Sequence, residues 1–104
     1  MNRVSLFFVC ILASAGAGAV DIQRQEELRN LLLQDCGSCH GMTLQGGLGP
    51  SLKPEALTGK PDAFLEHTIL NGRAGVPMPP WRGILSEADV TWLVQALRKG
   101  EFHE

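Results

Sequence analysis

Cys36-Gly37-Ser38-Cys39-His40 decides the reading of this chain. The pattern is C-x-x-C-H, the attachment signature of a c-type haem. Two thiols three positions apart on one turn can add to the two vinyl groups on one edge of a porphyrin. The imidazole that follows is placed by helical spacing under the ring, where its Nε2 can bind the iron. Gly37 and Ser38 are small, so the porphyrin edge can come close to the backbone. Two other chemistries use C-x-x-C. A zinc site needs a second ligand pair, but no cysteine follows Cys39, and His67 and His103 form no paired motif. A thioredoxin-type site follows a strand in a βαβ pattern, and no strand-like apolar run precedes Cys36.

The 104 residues allow one small domain. Met1-Asn2-Arg3 is a short basic start, Val4 to Ala15 is apolar, and Ala17-Gly18-Ala19 offers an A-x-A cleavage site. Residues 1–19 therefore read as a signal peptide that is removed, and 20–104 as the mature domain. The apolar run is shorter than the ~20 residues a spanning helix needs, so no stable membrane anchor is expected. Cys10 leaves with the leader, and no small residue precedes it as lipidation would require. The mature chain then has only Cys36 and Cys39, in a secreted and oxidising compartment. A disulfide between them would close too small a loop to stabilise much, whereas two thioethers would use both thiols. About 85 residues make a marginal protein core, and a buried haem would enlarge it. Of nine basic residues Arg3 is in the leader, leaving eight against eleven acidic, a net of −3. Nucleic-acid binding is not expected.

Taken in order, Asp21 to Asp35 reads as a helix with an apolar stripe of Leu28, Leu31 and Leu32. Gly41 to Gly59 has no helical period and reads as a loop. Lys60 to Asn71 reads as a second helix, with Pro61 at its first position and Gly72 at its stop. Phe64, Leu65, Thr68 and Ile69 are its expected buried face, and His67 is expected outside. Gly72 to Gly83 is irregular, with Met78 held between Pro77 and Pro79-Pro80. Ser86 to Lys99 is a third helix. Ser86 and Asp89 make a near capping box, Val90, Leu93, Val94 and Leu97 form its stripe, and Gly100 ends it. The fold class is all-α, three main helices round a covalently bound haem.

The iron's sixth position sets its chemistry: methionine favours high-potential electron transfer, an empty site favours ligand chemistry. Met42 is two residues from His40 and cannot reach the opposite face of the ring. Met78 is 38 residues on, and its prolines deny it a helix face to pack from, so it is the expected ligand. His67 and Arg73 are the only acid–base groups available to an enzyme or gas sensor with an open distal site. An electron carrier is the preferred reading, ahead of that alternative and of a thiol-redox or zinc module.

The chain resembles the class I cytochromes c, through Cys36, Cys39 and His40, the Gly49-Pro50-x-Leu52 segment, Met78 between prolines and the final amphipathic helix. The resemblance implies a small bundle whose first and last helices cross. It also gives Pro50 a carbonyl that accepts a hydrogen bond from the proximal imidazole. Arg73, Trp81 and His67 are left as candidates to contact haem propionates. His40 to Pro50 and Gly75 to Trp81 look like the monohaem c-55X type of denitrifying bacteria. That implies a periplasmic monomer exchanging electrons with nitrite reductase or an enzyme maturing its haem d. Leu28 and Leu32 stand where many members carry a glycine or aromatic, and Ala96 replaces a late aromatic. The helix crossing is therefore expected to pack by aliphatics around Trp92. The rim near the site (Gly41, Met42, Val76, Pro77, Pro79) is uncharged, while the acids Glu26, Glu27, Glu66, Glu87 and Glu101 lie elsewhere.

Overall fold

The structure is a computed structural model in which residues 20–100 are described. The expected leader, 1–19, lies outside them with Cys10, as do Glu101 and His103.

Asp21 opens the first helix: its carboxylate accepts from the Arg24 amide at 2.7 Å, satisfying one of the free N–H groups at a helix start. Helix α1 (Ile22–Leu31) passes without a break into a π-helical turn (Leu32–Cys36) and then α2 (Gly37–His40). The expected end at Asp35 is thus passed, and the attachment motif lies on the last turns of one long helix. Gly41, at φ 95°, ends it. Within the expected loop 41–59, Pro54 starts a one-turn helix, α3 (Pro54–Leu57). Proline suits a first helical position because its missing N–H would be unbonded there. Helix α4 is Asp62–Asn71, with Pro61 just outside it rather than at its first position, and α5 is Glu87–Lys99. Among the described residues there is no strand, only an isolated antiparallel bridge between Arg73 and Met78.

Helix α5 is the spine. Its start is closed by a reciprocal capping box between Ser86 and Asp89, and Gly100 ends it in the left-handed conformation. Val90, Leu93, Val94 and Leu97 are buried as their spacing predicts, and Ala96 with them. Leu28 and Leu32 of the first helix join them in one core with Leu44, Leu57, Leu70 and Leu85. Each such leucine contributes roughly 1.5–3 kcal/mol through burial. Trp92 is half-buried against this core, with the Arg29 guanidinium 5.8 Å above its ring. Aliphatic packing beside Trp92 is what the sequence led us to expect.

Polar ties hold the helices in order. Arg24 grips Asp89 with two bonds, 3.2 and 2.8 Å, joining the start of α1 to the cap of α5. This pairing pushes the Asp89 carboxyl below its usual range, with the Ser86 bonds adding to it and burial opposing it. At the other end of α5, Arg98 donates to the carbonyls of Leu57 and Lys60 and to Asp62, fastening α3 and α4. Helix α4 lies along α5 with Leu70 buried. Phe64, expected inside, is 50% exposed, because α4 turns Leu70 to the core and leaves Phe64 on its other flank.

Candidate functional site

The site is built in two units. The first begins at the end of α2, where a helix leaves its last carbonyls unbonded. The loop after it turns back and supplies donors: Gly46 N–H to the His40 carbonyl and Gly49 N–H to the Cys39 carbonyl, each 2.8 Å. That return brings Gly49 and Pro50 beside the imidazole. His40 Nδ1 lies 2.7 Å from the Pro50 carbonyl oxygen. A carbonyl only accepts, so Nδ1 must carry the proton and Nε2 keeps its lone pair for a metal. Gly49 lies against the ring face. A Cβ there would stand 2.8 Å from Cε1 and Nδ1, closer than atoms pack, so only glycine fits.

Cys36 and Cys39 are half-buried, one turn apart, and not joined to each other. Burial pushes the Cys36 thiol up to about 11, with the neighbouring Asp35 charge adding to it. Reactive redox cysteines depend on a lowered value that favours the thiolate, so this environment disfavours thiol–disulfide chemistry. Among the described residues no three His, Cys, Asp or Glu side chains are grouped to hold a metal.

The second unit carries Met78 and is built on the end of α4. Gly72 N–H caps the Thr68 carbonyl at 2.9 Å, and the amides of Trp81 and Arg82 take those of Ile69 and Leu70 at 3.0 and 3.1 Å. Inside the loop, Arg73 N–H bonds the Met78 carbonyl at 3.1 Å, and Met78 N–H bonds Val76 at 2.8 Å. Gly72 has φ 69°, and a Cβ on it would lie 2.5 Å from the Met78 carbonyl oxygen. Met78 is half-buried at the centre of this clamp.

The Asn71–Arg82 clasp had no motif to announce it in the sequence. Arg82 donates twice to Asn71 Oδ1, at 3.2 Å each. Since arginine only donates, Asn71 must turn its Nδ2 towards His67, 3.0 Å away. His67 is accordingly an exposed surface residue tied to α4, as expected. Arg73 is exposed and Trp81 half-buried against the core. Met42, Leu48 and Val76 carry apolar side chains at the surface of the two loops.

The residues present fit a covalently held haem: two unpaired thiols on one turn, an imidazole with its coordinating nitrogen free by tautomer, and a glycine cradle behind the ring. Comparison with known proteins agrees. The family described as cytochrome C oxidase, cbb3-type, subunit III, matches residues 23–95. Cytochrome c55X of Pseudomonas aeruginosa is 56% identical over 98 residues, covering 94% of this chain and 82% of that protein.

The chain belongs to the c55X group of c-type cytochromes.

The cytochrome is also similar to a solved c-type cytochrome NirC. The TM-score is 0.80 at 59% identity, covering 82% of this chain and all of that one. A further solved structure, dihydro-heme d1 dehydrogenase NirN in complex with DHE, aligns at TM-score 0.61 and 38% identity. It covers 65% of this chain but only 15% of its own. The family's prosthetic group is haem c, and its members are electron-transfer proteins rather than enzymes. No helix among the described residues is long and apolar enough to cross a membrane.

Proposed function

We propose that this cytochrome is a periplasmic, single-haem electron carrier, made with a leader at 1–19 and working as residues 20–104. Cys36 and Cys39 would bind the haem through thioethers, with His40 Nε2 and Met78 Sδ as the iron's axial ligands. When bound, the haem supplies a one-electron iron couple. The protein's part is to hold that couple still. Pro50 accepts the Nδ1 proton of His40, which orients the imidazole and raises its basicity. The stiff 72–83 loop presents a thioether rather than a water to the iron. The observation that carries the reading is the 2.7 Å His40–Pro50 contact, because it leaves one nitrogen, in one tautomer, on the residue next to the second thiol.

The partner follows from the relatives. Resemblance to the c-55X type, and to a chain named dihydro-heme d1 dehydrogenase, supports exchange of electrons with the nitrite reductase of denitrification or with an enzyme maturing its haem d. Met42, Leu48 and Val76 give the rim an apolar character, so docking through it should be only weakly sensitive to salt. Intact mass should equal the chain from Val20 plus one haem, resistant to acid-acetone extraction. Stopped-flow mixing of reduced cytochrome with oxidised nitrite reductase should show transfer within the enzyme's turnover time at all ionic strengths. Extractable haem would refute the thioethers, and absent transfer would remove the donor role.

A further inference from the structure

An unbroken α-helix advances about 100° per residue. Leu28 and Leu32, both fully buried, define its core-facing stripe. Continued at that pitch, Asp35 would return to the buried stripe two turns after Leu28, and His40 would stand roughly 100° away from it. The observed burial is the reverse. Asp35 and Ser38 are exposed, Gly37 is buried, and His40 is half-buried with its ring against Gly49.

The backbone between them explains the change. Leu32–Cys36 is a π turn, in which Gly37 N–H reaches back five residues to the Leu32 carbonyl. Such a turn holds one residue more than an α turn, and so sets every later position back by about 100°. It carries the Asp35 charge off the core face. It takes Ser38 to the solvent side, where the hydroxyl donates to the Asp35 carbonyl at 2.8 Å. It brings His40 into line with Leu28 and Leu32.

We infer that the π turn at Leu32–Cys36 is a positioning element that sets the rotational register of the iron-binding histidine. Chain length between Leu32 and Gly37 matters, and the identity of the exposed Gln34 does not. This rests on His40 and Met78 being the iron's ligands. Without the extra residue, His40 would lie about a quarter turn from the stripe that packs against α5. The loop bonded to the Cys39 and His40 carbonyls would turn with it, so that the histidine and the Met78 loop would no longer be in register.

The test compares deletion of Gln34 with Gln34→Ala, both in the full chain matured with haem. Gln34→Ala should keep the low-spin absorption and the potential of the natural protein. The deletion should lose the methionine ligand, read as loss of the weak long-wavelength sulfur-to-iron band and as high-spin iron that binds carbon monoxide when reduced, with helix content by circular dichroism kept. A sulfur-to-iron band retained in the deletion, or equal loss in Gln34→Ala, overturns the inference. If the deletion gives no holoprotein, through-hydrogen-bond NMR coupling in the reduced natural protein decides. Coupling of Gly37 N–H to the Leu32 carbonyl supports the π register, and coupling to Leu33 overturns it. A natural protein whose spectrum is unchanged by His40→Ala would instead refute the ligand assignment itself, a separate failure.

Discussion

The histidine end and the methionine end of the site are held by different means. At the histidine end the structure grips the side chain: Pro50 takes the Nδ1 proton and Gly49 lies on the ring. At the methionine end it grips the backbone: Met78 has both its N–H and its carbonyl bonded, and the loop around it is laced to the last carbonyls of α4. Among the described residues the thioether, whose sulfur is a weak acceptor on a flexible stem, makes no comparable bond. One end therefore fixes orientation and tautomer, the other fixes reach. The proposed covalent attachment beside His40 suits the first arrangement, and the proposed methionine ligand, which must only stay close, suits the second.

Substitutions can break that contrast. The largest effect is expected from Gly72→Ala. It combines the strain of an alanine at φ 69°, ψ −170°, a region open essentially to glycine alone and costing about 1–3 kcal/mol, with a clash against the Met78 carbonyl, for about 2–6 kcal/mol in all. Thermal melts should show the loss, and the methionine signal should weaken while covalent haem content stays whole. Gly49→Ala comes next, at about 1–3 kcal/mol from overpacking. Here the histidine resonances should shift and the methionine signal persist. If both variants disturb the same ligand, the two ends are not separate units.

A smaller effect sharpens the role of the scaffold. Asp89→Asn removes the charge that Arg24 grips and weakens the α5 cap, at about 1–2 kcal/mol near neutral pH. The Asp89 carboxyl is depressed in the folded chain, chiefly by Arg24. Its contribution is therefore complete above the unfolded value of about 3.9 and fades as pH falls through the lower folded value. Melting curves of the natural protein and the variant should converge in acid, and a gap that stays constant with pH would show that Asp89 acts through packing alone.

Much of this was legible in the sequence because local chemistry and tertiary role agree. Ser86, Asp89 and Gly100 mark α5 by capping alone, and its stripe is the buried one. The spacing of Cys36, Cys39 and His40 carries the proposed chemistry, and the Pro50 contact with His40 is the one the resemblance implies. The rest depends on contacts that no local pattern announces. The π turn has no residue signature, because the extra residue is tolerated only when the helix after it must face elsewhere. The single turn at Pro54–Leu57 was hidden among glycines and prolines, since it is held by Leu57 in the core and by Arg98 from 41 residues away. Phe64 fitted the expected apolar stripe of α4 and Leu70 lay off it, yet the packing on α5 buries Leu70 and leaves Phe64 half exposed.

The central claim is that His40 and Met78 share one iron. Absorption spectra of the oxidised holoprotein test it most directly, with Met78→Ala beside the natural chain. The account predicts the weak long-wavelength sulfur-to-iron band in the natural protein. It also predicts loss of that band in the variant, together with carbon monoxide binding on reduction while the thioethers remain. A band that survives Met78→Ala, or a natural protein that lacks it and binds carbon monoxide, would contradict the account.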